Sequence, residues 1–261
     1  MLKSLLAGRF RTLLILCFSL IGVYLCSSVA ASLFAPPQTE EQFREMREAM
    51  VRDQIAAPRG TGAPPVRDTR VLDVMRAVPR HLFVPKEQIR SAYDDHPLPI
   101  GHSQTISQPY IVAKMTELAG TKESHRALEI GTGSGYQAAV LSKLVAEVFT
   151  IEIVEPLGRE AAERLRTLGY KNVQVRIGDG YAGWPEKAPF DVILVTAAPP
   201  EIPMALVEQL KPGGRMVLPR GRAFETQVLT VVTKGNRGPR DFTSQDIMYV
   251  AFVPMVPGKK N

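Results

Sequence analysis

The sequence predicts an α/β fold, a mostly parallel central sheet with helices on both faces. Three observations lead there. A short apolar strand, Ala127-Leu128-Glu129-Ile130, runs straight into Gly131-Thr132-Gly133-Ser134-Gly135. Further strand-like runs alternate with helices as far as Leu218, and the clearest of them, Phe190 to Val195, is almost continuously apolar, as a strand covered on both faces should be.

The elements follow in order. Lys3, Arg9 and Arg11 form a basic start, Leu13 to Cys26 is apolar, and Ser28-Val29-Ala30 is a small-residue cleavage site, so residues 1–35 read as a signal peptide or a membrane anchor. Ala57 to Pro65, rich in Gly and Pro, reads as a flexible surface loop. After the strand at 127–130 and the glycine turn, a helix begins at about Tyr136. Val145 to Ile153 is a second strand carrying Glu152 near its C-terminal end, and Asn172 to Ile177 is a third, closed by Gly178-Asp179-Gly180. Phe190 to Val195 is the fourth. Leu210-Lys211-Pro212-Gly213-Gly214-Arg215 reads as a helix stop and tight turn into a fifth, Met216-Val217-Leu218.

The glycine turn is the first chemical signal. Glycines there accept positive φ and let the backbone approach a ligand closely. Such turns also serve packing or dinucleotide binding, so the neighbouring residues must decide. A dinucleotide site usually shows G-x-G-x-x-G, whereas the third glycine here comes one residue early, and Glu129 sits just before the turn. A carboxylate repels a pyrophosphate but favours the ammonium of a cationic, amino-acid-bearing cofactor, which points to S-adenosylmethionine. Glu152, about 20 residues past the glycines, is placed to accept hydrogen bonds from a ribose diol, and Asp179 to face an adenine amino group.

These residues resemble the class I methyltransferases, whose fold is Rossmann-like, and a second constellation narrows the likeness. Pro97 to Tyr110, with Thr105-Ile106-Ser107-Gln108-Pro109 at its centre, is similar to the substrate segment of protein-L-isoaspartate O-methyltransferases. Val78 to Pro85, Ala197 to Pro203 and Phe252 to Met255 also resemble that family, in the expected order from about Met46 to Val256. The resemblance implies a repair enzyme that methylates the free α-carboxylate of L-isoaspartyl residues, with isoaspartyl proteins and peptides as partners. It implies Ser107 as the catalytic residue, with Thr105 and Ile106 also binding substrate. It implies Glu129, Gly131, Gly133, Glu152, Asp179 and Gly180 as cofactor contacts and no metal. It divides the chain into a helical, substrate-binding part over 36–110, a cofactor-binding sheet and C-terminal part over 111–256, and a disordered tail over 257–261. Val256 departs from the pattern, standing where many relatives carry a hydroxyl. The loop from Ala57 is longer than the usual link.

The implied chemistry suits the residues. An isoaspartyl α-carboxylate, with a reference pKa of about 3.5, is ionised near neutrality and needs no general base. Ser107 can hydrogen-bond it without neutralising it; the plainer reading is that Ser-Gln-Pro only shapes a turn or helix entry. No G-x-S-x-G elbow surrounds it. His102 has nothing to deprotonate and reads as loop, and His81, His96 and His125 show no metal-ligand spacing. A methyltransferase acting on another acceptor, a nicotinamide oxidoreductase, and a non-catalytic binding module are the alternatives.

With 261 residues and 45% hydrophobic content, the chain can bury a full core. The charge of +6 raises the possibility of nucleic acid, but Lys3, Arg9 and Arg11 supply half of it and the remaining basic residues are interspersed with acidic ones, so no nucleic-acid partner is expected. A monomer is expected, with any membrane contact confined to residues 1–35. Cys17 and Cys26 both lie in that segment, so the remaining chain has no disulfide. Localisation is left between two expectations: the leader points to export or to an inner-membrane anchor, and the resemblance and donor supply point to the cytoplasm.

Overall fold

The computed structural model describes residues 38–58, 62–222, 225–238 and 240–258. Contacts separate Met1–Glu40 from a unit spanning Glu41–Asn261, and the fold below is that of the second. The expected signal peptide or anchor, with both cysteines, lies outside the described residues, as do residues 59–61 of the loop after Ala57. Among the described residues no helix is long and apolar enough to cross a membrane.

The chain opens with helix α1 (Glu40–Ala49), which continues into a wider π-helical segment over Met50–Ile55. Helix α2 (Thr69–Ala77) is capped by Asp68, whose carboxylate accepts the Arg70 N–H. A hairpin of β1 (Leu98–Gly101) and β2 (Gln104–Ile106) leads into α3 (Pro109–Ala119), with Pro109 in the first turn, where its missing N–H costs nothing. There follow β3 (Arg126–Ile130), α4 (Tyr136–Ser142), β4 (Glu147–Glu152), α5 (Glu155–Thr167), β5 (Val173–Ile177) and β6 (Phe190–Val195). The last elements are α6 (Met204–Glu208), β7 (Leu210–Arg220), β8 (Gln227–Lys234) and β9 (Phe242–Val250).

The main sheet has the order β5-β4-β3-β6-β7-β8-β9. Pairings from β5 through β7 are parallel, and β7–β8 and β8–β9 are antiparallel. The α/β expectation and the helix start at Tyr136 therefore hold. The fifth strand is longer than expected: the Lys211–Gly214 turn lies inside β7 as a bulge, with Phe190 paired to Leu210 and Val192 to Arg215. The antiparallel end, β8 and β9, went unread, although Val228 to Thr233 is β-branched except for Leu229.

Alternation along the central strands divides the core into two layers. Ala127, Val192 and Leu194 face the larger cluster, which contains Val71 and Met75 of α2, Val112 and Met115 of α3, and Leu157 and Leu165 of α5. Leu128, Ile130, Ile193 and Val195 face the smaller cluster, with Leu206 and Val207 of α6. Glu129 lies on the same side as Ala127, between Thr150 of β4 and Leu194 of β6. A carboxylate therefore occupies a central strand where an apolar residue would pack.

The β1–β2 turn is His102-Ser103, both at positive φ (51° and 57°), the geometry of a two-residue hairpin turn that favours Asn-Gly. This places His102 in loop structure, as read. Replacing His102 with Asn and Ser103 with Gly should raise unfolding stability by about 1 kcal/mol by removing the left-handed strain. Urea titration checks it; an unchanged midpoint would show that the turn carries no such strain.

Candidate functional site

The C-terminal ends of β3, β4 and β6 converge on the glycine turn. Gly131, at φ +95°, donates its N–H to the Ile151 carbonyl at 2.8 Å. Beside it Thr196, one residue past β6, donates its N–H to the Ile130 carbonyl at 2.8 Å. The Thr196 hydroxyl is shared between the carbonyls of Ile130 (2.9 Å) and Gly131 (2.7 Å). A Cβ on Gly131 would lie 2.5 Å from that hydroxyl oxygen, so only glycine fits. The sequence reading missed Thr196; a hydroxyl residue directly after an apolar strand was the available signal.

The expected cofactor carboxylates sit in different environments. Glu152 is buried rather than an exposed charge at a strand end: one oxygen accepts the Gly133 N–H at 2.8 Å, and the other accepts the N–H groups of Ile153 (3.0 Å) and Val154 (2.9 Å). It thereby takes up a turn N–H that a pyrophosphate would need, which counts against a dinucleotide. Glu129 is completely buried, and neither of its oxygens has a hydrogen-bond partner among the described residues. Burial pushes its carboxyl up to about 8, against a smaller opposing pull from the Thr150 hydroxyl and with help from the Glu152 charge.

Asp179 lies just past the end of the third strand of the site, as expected, and is engaged by two backbone donors. It caps the short turn Gly180–Ala182, with one oxygen accepting the Tyr181 N–H at 2.8 Å and the other accepting the Gly258 N–H at 2.8 Å. Gly180, not the Asp179 carboxylate, lines the cavity beside the glycine turn. The Gly258 contact ties the last described residue to the site.

Three cavities meet here. One of about 340 Å³ lies between Ser107, Tyr110, Tyr249 and Phe252. A second, of about 290 Å³, extends from Gly131 and Gly133 past Glu152 to Gly180 and Met255. A third, of about 40 Å³, sits over Glu129, Gly131 and Ser107. Thr105 and Thr196 line all three, and Ser107 lies on the wall between the first and third. Ile106 is buried and pairs with Leu98, so it contributes through the hairpin backbone.

Ser107 sits where a helix entry and a cavity wall coincide. It precedes the entry to α3, and it faces the cavities with its hydroxyl free of any hydrogen bond to a described residue. Its carbonyl accepts a hydrogen bond from Arg80 Nη2 at 2.7 Å. The backbone from Val250 to Val253, which borders the first cavity, is largely engaged internally. Phe252 exchanges two hydrogen bonds with the Gln227 side chain (2.7 and 3.1 Å), and the Val253 carbonyl accepts the Ala198 N–H at 2.8 Å.

The arrangement fits an elongated ligand with a cationic end and an apolar end. The small cavity over an unpartnered carboxylate suits an ammonium. Glu152 keeps one acceptor site, on the oxygen bonded to Gly133, for a ribose hydroxyl, and Ile151, Val154, Pro254 and Met255 offer apolar walls beyond.

Comparison with known proteins agrees. A family model described as Protein-L-isoaspartate(D-aspartate) O-methyltransferase (PCMT) matches residues 61–260. The chain is 52% identical over 239 residues to the protein-L-isoaspartate O-methyltransferase of Opitutus terrae, covering 92% of this chain and 98% of that one. It is 58% identical over 195 residues to protein-L-isoaspartate O-methyltransferase 2 of a Polaromonas species, covering 75% and 91%. A solved protein-L-isoaspartate O-methyltransferase aligns with TM-score 0.66 at 30% identity, covering 72% of this chain and 61% of its own. A Plasmodium falciparum structure of the same description, in complex with S-adenosyl-L-homocysteine, aligns with TM-score 0.67 at 26% identity, covering 80% and 98%.

Glu129 should leave a pH signature in the ligand-free protein. Its carboxyl titrates at about 8 when folded and near 4.5 when unfolded, so between those values the folded chain holds the extra proton. Stability should therefore fall as pH rises through that window and level off above it. Glu129→Gln should flatten the fall in urea titrations at pH 5, 6.5 and 8. An equal slope in both proteins would place the folded carboxyl at its ordinary value.

Proposed function

The chain belongs to the protein-L-isoaspartate O-methyltransferase family, and from that premise we propose which of its residues carry the reaction. As a protein repair methyltransferase it esterifies the free α-carboxylate of L-isoaspartyl residues in damaged proteins. The ester then collapses to a succinimide, and hydrolysis of that ring partly restores normal aspartate. S-adenosyl-L-methionine, when bound, supplies a sulfonium-held methyl group for in-line displacement.

In our reading the chain's work is binding, orientation and exclusion of water. Glu129 takes the cofactor's ammonium, Glu152 a hydroxyl of its ribose, and Gly131, Gly133 and Gly180 allow the close approach. Asp179 holds the Gly180 turn and the Gly258 backbone in place. Ser107 is the catalytic residue: its free hydroxyl donates to one carboxylate oxygen and leaves the other to attack. Thr105 stands beside it on the wall common to all the cavities, and Ile106 fixes the hairpin. Holding the carboxylate oxygen close to the group to be transferred would be the chain's main catalytic contribution.

The observation that carries this reading is the meeting of the larger cavities at Thr105 and Thr196, with Ser107 on one side and an unpartnered buried carboxylate below. The larger one, open beside exposed Tyr249, suits a flexible, extended peptide. We take the enzyme to act as a monomer, which light scattering checks. For its compartment the export and cytoplasmic readings stand as rival proposals. Mass spectrometry of the native N-terminus after fractionation separates them, and a soluble cytoplasmic chain starting near Met46 would exclude export.

The enzyme should transfer label from S-adenosyl-L-methionine to an isoaspartyl peptide and not to its aspartyl twin. Label on neither, with the donor still bound, would overturn the acceptor. Ser107→Ala should slow turnover by about 10- to 1,000-fold while leaving donor affinity nearly unchanged, as expected for loss of one positioned donor. Unaltered turnover would remove Ser107 from its role.

A further inference from the structure

We propose that Arg80 is a positioning residue that supplies the positive charge drawing the isoaspartyl carboxylate to Ser107, acting from behind the cavity wall through the Ser107 peptide group. The inference rests on the acceptor reading above and adds to it the means by which an anion is held.

The first observation is a cation with no counter-ion bonded to it among the described residues. Arg80 opens the short 3-10 turn Arg80–Phe83, and its side chain is completely buried. Nε donates to the Ala92 carbonyl at 2.8 Å and Nη2 to the Ser107 carbonyl at 2.7 Å, while Nη1 has no partner among the described residues. The guanidinium carbon stands 5.0 Å from the centre of the Tyr136 ring. None of these partners is a carboxylate. Burial lowers the guanidinium's pKa to about 10, which still leaves it charged at neutral pH. A buried, unpaired charge opposes folding unless something compensates it.

The second observation is the composition of the adjoining cavity. Among the described residues its lining includes no lysine, arginine or histidine, and the charged residue there is Asp95, bonded to Gln108 Nε2 at 2.8 Å. From these described residues an anionic substrate meets neutral dipoles and one repulsive charge. The positive charge bonded to the wall is Arg80, at the carbonyl of the same residue whose hydroxyl faces the cavity.

The match has a consequence for turnover. The substrate carboxylate carries the complementary charge, and the methyl ester product carries none, so the attraction ends when the reaction does. Two unit charges about 7 to 10 Å apart at an effective dielectric of about 20 interact by an amount equal to about a 10- to 50-fold change in binding constant. That range is the expected preference for acid over neutral ligand.

The experiment uses the full chain saturated with S-adenosyl-L-homocysteine, whose sulfur is uncharged, so that discrimination by charge comes from the protein. Calorimetry compares an isoaspartyl peptide with its α-carboxamide and its α-methyl ester. The wild type should bind the acid about 10- to 50-fold more tightly than either neutral ligand. Arg80→Gln, which keeps an N–H donor for the Ser107 carbonyl, should bring acid and amide within about 3-fold and raise the peptide KM more than it lowers kcat. Arg80→Lys should keep most of the preference. Equal binding of acid and amide by the wild type overturns the proposal, as does a preference that survives in Arg80→Gln. Parallel weakening of all three ligands with their ratio intact would mark Arg80 as structural and also overturns it. Should Arg80→Gln not fold, the wild-type ratio and its retention in Arg80→Lys decide. A wild type that transfers no methyl to isoaspartyl peptide sinks the acceptor reading instead.

Discussion

The parallel pairing of β3 with β6 is the constraint on which the site depends. It sets Ile130 against Val195 and so brings the next residues, Gly131 and Thr196, face to face. With no side chain on Gly131, the Thr196 hydroxyl reaches both carbonyls at the end of β3 and holds the turn open. Glu152, at the end of the next strand, clamps the turn from the other side through the Gly133 N–H. The turn is thus fixed by bonds from both neighbouring strands before any ligand arrives, which lowers the ordering cost of binding.

Two buried ionisable groups flank that frame without charged partners. Glu129 lies beneath the small cavity, and Arg80 lies behind Ser107. Each is unfavourable in the empty protein, where apolar residues of similar size would pack with less cost. In the proposed reading their ligands bring the opposite charges, an ammonium to Glu129 and a carboxylate to Arg80. Stability given up in the empty state is recovered as selectivity when both ligands are present. The hydroxyls of Thr105 and Ser107 lie between them on the cavity wall.

What was legible in the sequence was local. The glycine turn, the apolar runs of β3 to β6 and the helix start at Tyr136 are written in consecutive residues, and Glu129 and Glu152 follow from their places at strand ends. The β1–β2 hairpin was hidden because its strands are short and interrupted by Pro99, and its turn uses His102-Ser103 instead of the usual Asn-Gly. Thr196 and the partner of Asp179 depend on strand pairing and on a tail contact across 79 positions, which no local pattern encodes. Arg80 was hidden for a statistical reason: arginine is ordinarily at the surface, and nothing in Val78-Pro79-Arg80-His81 signals a buried one.

The wall of the second cavity opposite the glycine turn is built by Val253 to Val256, and Gly258 fastens that stretch to Asp179. These residues leave the ribosome long after the glycine turn, the carboxylates and the Ser107 segment have been made. During synthesis the central strands can pair while one side of the cavity is still missing, so cofactor capture is deferred until the distal segment has emerged and docked. A message cut short after β9 would direct synthesis of a chain with nearly the whole sheet and an unfinished site. Such a product could pass a test for folded structure and yet fail to retain its cofactor.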